Sequence, residues 1–135
     1  MNRGVATAPS SATASRLTPA FAVIDVETTG LSPNRDRILE LAIVRLDATG
    51  NVVDESVGRF DPEGPVGATH IHGIRQSDVI GKPLFRDVAA TVIAALSSLP
   101  IVAHNAKFDL AFLRAELTAA GWEVPRLATY CTLRS

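Results

Sequence analysis

Between residues 21 and 60 the apolar positions come in short runs broken by turn residues, with no helical stripe. Phe21 to Val26 is apolar, contains β-branched residues and ends in Thr-Thr-Gly, which predicts a short strand buried on both faces. Ile38 to Leu46 predicts a second strand. Ile38, Ala42, Val44 and Leu46 would share one face, and Leu39, Leu41 and Ile43 the other, as expected inside a sheet. Asp47-Ala48-Thr49-Gly50-Asn51 is a turn signal, so Val52 to Phe60 should return as a third, more polar strand of an antiparallel meander.

Beyond Asp61 the pattern changes. Pro62, Gly64, Pro65, Gly67 and Gly73 make 61–77 a loop, with at most a short helix beyond it. Phe85, Val88, Ala89, Val92 and Leu96 then recur at helical spacing, and Pro83 suits the start of that helix. Leu99 to Ala103 reads as a short buried strand, and Leu127 to Thr132 as the start of another. Between them Asn105 can cap a helix running to about Ala120 and ended by Gly121. Its two apolar stripes are Phe108, Ala111, Phe112 and Ala115, and Leu110, Leu113 and Leu117. Glu116 and Glu123 are expected on a solvated face. The order β-β-β-α-β-α-β predicts an α/β fold, a mixed sheet with helices packed on it. Residues 1–19, rich in Ala, Ser, Thr and Pro, are read as a flexible tail, and 20–135 as one domain.

Composition narrows the classes. Apolar residues are 47% and charged residues 20%, with a net charge of -1. A protein that grips long duplex nucleic acid through its backbone usually carries a basic surplus, and this chain has none. No run reaches the length of a membrane span, no secretory signal is expected since no sustained apolar run follows Arg3, and one cysteine, Cys131, excludes an internal disulfide. The reading is cytoplasmic, with Cys131 a small apolar residue.

Two places carry chemistry. Asp25 and Glu27 end the first strand. Being two apart, they project from the same face, so two like charges stand side by side at the end of a buried element. A divalent cation relieves both their repulsion and their desolvation, and oxygen donors without accompanying His or Cys favour Mg²⁺ or Mn²⁺ over zinc. The bland alternative is an ion pair with Arg35 or Arg37. The second place is His104-Asn105-Ala106-Lys107-Phe108-Asp109, where strand meets helix. Asp109 falls in the first helical turn and would approach Asp25 if the first and fourth strands are neighbours. The helix dipole alone would also account for it. Glu40 sits mid-strand, as a partner of the carboxylates or as a surface group. His104 and His70 read as locally bonded histidines.

Asp-Val-Glu-Thr-Thr-Gly-Leu at 25–31, Ile-His-Gly-Ile at 71–74 and His-Asn-Ala-Lys-Phe-Asp at 104–109 resemble the DEDD superfamily of 3′–5′ exonucleases, above all the DnaQ-like, epsilon-type proofreading members. The resemblance implies an RNase H-like fold and two-metal hydrolysis of a terminal phosphodiester. Asp25, Glu27 and Asp109 would be catalytic metal ligands for two Mg²⁺ or Mn²⁺ ions. Thr28 would lie at the terminal sugar, Leu31 under the terminal base, and His72, Asn105 and Phe108 around the same pocket. The implied partners are a single-stranded 3′ end and a DNA polymerase subunit.

One part of the family pattern is missing. The later His-x-x-x-x-Asp motif, or its Tyr variant, supplies a general base and a fourth carboxylate, and no His or Asp follows Asp109. The domain is therefore expected to be C-terminally incomplete and weakly active or inactive. An exoribonuclease and a non-catalytic module binding nucleic acid or polymerase are the alternatives.

Overall fold

The computed structural model describes residues 17–124 and 129–131. Five strands form one sheet, β1 (Phe21–Thr28), β2 (Ile38–Leu46), β3 (Val52–Arg59), β4 (Ile101–Ala103) and β5 (Thr129–Cys131). Their spatial order is β3-β2-β1-β4-β5. The first three pair antiparallel as the predicted meander, whereas β4 runs parallel to β1 and β5 parallel to β4. Two one-turn helices, α1 (Thr69–His72) and α2 (Gln76–Val79), interrupt the segment after β3. The expectation of a plain loop to residue 77 missed α1. Two longer helices, α3 (Phe85–Leu96) and α4 (Ala106–Ala119), follow.

Alternation along β1 decides where the core lies. Ala22, Ile24 and Val26 are buried, and they meet Leu41 and Ile43 of β2, Ile101 and Ala103 of β4, Phe85, Ala89 and Val92 of α3, and Phe112, Leu113 and Leu117 of α4. Both long helices thus cover one face. The other face of β1 carries Phe21, Val23, Asp25 and Glu27, none of them fully buried. The expectation that β1 is buried on both faces therefore fails. Burying the odd positions too would desolvate the two carboxylates that share their face.

A register shift corrects the face assignment in β2. Glu27 pairs with Glu40 but Thr28 with Ile38, which leaves Leu39 as an extra residue between them. Such an insertion flips whatever precedes it to the opposite face. Ile38 accordingly joins Leu41 and Ile43 in the main core, and Leu39 packs with Val66, Ile74 and Val79 in a small second cluster beneath the 61–80 segment.

Local chemistry sets the element ends. The Asp47 carboxylate accepts the N–H groups of Thr49 and Asn51 at 2.9 Å each and closes the β2–β3 turn, where Gly50 takes φ +90°. Asp87 reaches back to the Leu84 N–H at 3.2 Å to open α3. Asn105 does stand at the N-cap of α4, but its side chain makes no capping bond; its carbonyl accepts the Asp109 N–H instead. Gly121, at φ +95°, closes that helix as predicted. Residues 1–16 of the expected tail and the side chain of Cys131 lie outside the described residues. No helix among the described residues is long and apolar enough to cross a membrane.

Candidate active site

Because β4 lies beside β1 and runs parallel to it, the start of α4 comes to the C-terminal end of β1. Asp109, in the first turn of α4, is buried at 5% exposure, and the Val26 N–H donates a hydrogen bond to its carboxylate. Its charge is badly placed. Burial, and then repulsion from Asp25, push the Asp109 carboxyl up to about 6; the Val26 N–H and the neighbouring His104 partly offset this, and Glu27 adds to the repulsion. Glu27 is also raised above the ordinary carboxylate range, by burial first and by Asp25 second, with Glu40 adding and His72 opposing. Three carboxylates from two distant stretches therefore feel one another at a single sheet end. Even so, no group of three or more His, Cys, Asp or Glu side chains among the described residues is drawn together as a closed metal-binding set.

The alternative ion pairs are not formed. Arg37 binds Glu116 and Glu63, and no arginine among the described residues pairs with Asp25 or Glu27. Glu40, opposite Glu27 in register, is held by Arg59 of β3 at 2.8 Å.

The turn after β1 is closed by its own side chains. Thr28 Oγ1 donates to the Gly30 carbonyl at 2.6 Å. Thr29 Oγ1 donates to Asp36 at 3.1 Å and accepts the Arg37 N–H at 3.0 Å, while Asp36 also accepts the Ser32 N–H. Leu31, at the tip, is 85% exposed. Against this turn lies the 65–73 segment, at van der Waals closeness. A Cβ on Gly67, whose φ is +77°, would stand 2.1 Å from the Thr29 carbonyl oxygen, so only glycine fits.

That contact brings His72 towards Glu27. His72 Nδ1 accepts the Ile74 N–H at 2.9 Å, which leaves Nε2 to donate to the Val66 carbonyl at 3.0 Å. Both ring nitrogens are spent on shaping the loop. Phe108 is half-buried, its ring 4.9 Å from that of Phe112 at the margin of the core, and Asn105 is half-buried at the helix start.

Glu116 was missed by the sequence reading. It is 5% exposed, not solvated. The buried stripe of α4 runs Ala106, Asp109, Phe112, Leu113, Glu116 and Leu117, so two carboxylates two turns apart share it with the apolar residues. Its spacing from Asp109 was the available signal.

The family described as RNase_T exonuclease matches residues 22–134. The chain belongs to this exonuclease family. The DEDD resemblance carried by the three motifs is thereby borne out. The exonuclease domain is 36% identical over 100 residues to the DNA polymerase III subunit epsilon of Treponema pallidum, covering 73% of this chain and 46% of that protein. It is 36% identical over 108 residues to the 3′-5′ exonuclease DinG of Bacillus subtilis, with 78% and 12% covered. With the PolC-type DNA polymerase III of Thermotoga maritima it shares 34% over 120 residues, or 85% and 9%. The chain thus spans less than half the length of these relatives. Among solved structures, Escherichia coli exonuclease I in complex with a dT13 oligonucleotide superposes with a TM-score of 0.71 at 23% identity, over 86% of this chain and 28% of that one. The shared architecture is the expected RNase H-like fold.

Proposed function

We propose that this exonuclease domain removes nucleotides from single-stranded DNA 3′ ends with two Mg²⁺ or Mn²⁺ ions, in proofreading beside a replicative polymerase. The observation that carries this is the burial of Asp109 against Asp25 and Glu27, with no arginine or lysine among the described residues paired to them. A cluster held under such strain is unfavourable unless a cation completes it. The donors are hard oxygens, as Mg²⁺ and Mn²⁺ require. When bound, the ions would lower the pKa of a water and neutralise charge on the leaving oxygen. The names of the relatives support the polymerase setting and the polarity. The exonuclease I complex with an oligonucleotide supports a single strand as substrate.

The chain's own residues take distinct parts. Asp25 and Glu27 present their carboxylates from one strand face, and Asp109 is pinned from below by the Val26 N–H. Leu31, bare at the turn tip, offers an apolar surface to the terminal base, with Thr28 beside it at the sugar. His72, its nitrogens engaged, holds the wall of the site and is unsuited to proton transfer. These 135 residues hold no His or Asp after Asp109 to act as general base, so by themselves they should turn over slowly or not at all.

Two measurements test this. Calorimetric titration should show Mn²⁺ binding that Asp25→Ala abolishes. A labelled single-stranded DNA should be trimmed from its 3′ end far more slowly than by a relative with the complete motif set, and RNA no faster. Absence of any Mn²⁺ binding, or rapid cleavage by Asp25→Ala, would refute the assignment.

A further inference from the structure

Glu116 is not one of the proposed metal ligands, yet it is among the most deeply buried charges of the described residues. Its Oε1 accepts Arg37 Nη2 at 3.0 Å, and its Oε2 accepts both Arg37 Nε at 3.0 Å and the Ile38 N–H at 2.9 Å. The burial that would make this carboxylate costly is met by three donors. Arg37 is held in turn by Glu63 at 3.6 Å, and Glu63 by Arg86 of α3 at 3.1 Å. The chain of charges therefore runs from α4 through the start of β2 to α3.

Its position on the helix gives it meaning. Glu116 lies seven residues after Asp109 (116 − 109), two turns along the same stripe, or roughly 10 Å along the axis. Asp109 takes a backbone N–H from the end of β1, and Glu116 takes one from the start of β2. Between those anchor points the β1–β2 ladder shifts register at Glu27/Thr28. Apolar contacts through Phe112, Leu113 and Leu117 hold the helix down, but they are non-directional and tolerate small rotations and slides. A forked guanidinium–carboxylate pair does not. A buried ion pair is a weak source of stability compared with apolar residues of the same volume, so orientation is the better account of this one.

We propose that Glu116, gripped by Arg37 and Ile38, is a positioning residue that sets the rotation and height of α4 and so presents Asp109 to Asp25 and Glu27. This rests on the reading of those three carboxylates as metal ligands. A displacement of about 1 Å at such a site can cost on the order of 10²-fold in rate, which is the scale such a clamp guards against.

The test separates position from folding. Glu116→Leu combined with Arg37→Met keeps the volume and removes both charges; Glu116→Gln is the milder change. Each would be compared with the parent chain by denaturant unfolding, by amide hydrogen exchange without metal, and by Mn²⁺ titration. The Val26 amide reports Asp109 directly, and Ile24, in the same strand, serves as the reference. In a folded variant the Val26 amide should exchange about 10-fold faster relative to Ile24, and Mn²⁺ affinity should fall by roughly 10-fold or more. Unchanged Val26 protection and Mn²⁺ affinity in a folded variant would overturn the proposal, as would faster exchange spread evenly over β1. Should the parent chain bind no Mn²⁺, the ligand reading fails by itself, and the Val26 amide still decides whether Glu116 places Asp109.

Discussion

Replacing Asp109 with asparagine should stabilise the metal-free fold at neutral pH, an unusual result for a buried polar position. Asparagine is close to isosteric, and its side-chain oxygen can still accept the Val26 N–H, so packing and that bond survive. What disappears is a charge that the fold opposes. The folded carboxyl titrates near 6 against an ordinary value of 3.8, so the folded state holds on to a proton that the unfolded chain releases. Stability must then fall as pH rises from about 4 to about 6, and remain lower above that window. The difference amounts to about 3 kcal/mol at 1.36 kcal/mol for each tenfold change in proton affinity. Urea unfolding from pH 3.5 to pH 8 would measure it. Across the window the parent chain should lose about that much more than Asp109→Asn, which should be the more stable of the two at pH 8. Millimolar Mn²⁺ should raise the stability of the parent chain and leave the variant almost unmoved. Equal pH slopes for the two proteins, or an Asp109→Asn variant less stable than its parent at pH 8, would refute the electrostatic account of the site.

Glu27→Gln should act in the same direction with a smaller amplitude, since Glu27 is also raised, and the pH dependence of unfolding checks it. Gly67→Ala should destabilise the fold by more than about 1 kcal/mol in denaturant titration, because it adds an unfavourable φ and a contact 2.1 Å from the Thr29 carbonyl. Leu31→Ala should leave the unfolding midpoint unchanged, as 85% of Leu31 is exposed, while weakening the binding of a single-stranded oligonucleotide several-fold in fluorescence anisotropy.

Much of this molecule is readable from local rules. Alternation marked out β2 to its ends, the Asp47–Asn51 turn closed through the side chain its composition promised, and the helical spacing from Phe85 to Leu96 became α3. The motifs that put Asp25 and Glu27 on one strand face needed only the two-residue period of a strand. These features depend on residues a few positions apart, and near neighbours in sequence are near neighbours in space. Other features depend on which elements meet. Leu39 and Ile38 exchanged faces because of a register shift that is a property of two strands together. Asn105 left its cap unmade although its residue type favours one. Arg37 binds Glu116, 79 residues away, and Glu63, and leaves Asp25 and Glu27 unpaired. Asp109 acquired its raised proton affinity only when β4 settled beside β1 and closed the site over it. Desolvation, and repulsion between carboxylates far apart in sequence such as Asp109 and Asp25, depend on three-dimensional distance and on exclusion of water, which an extended chain does not supply.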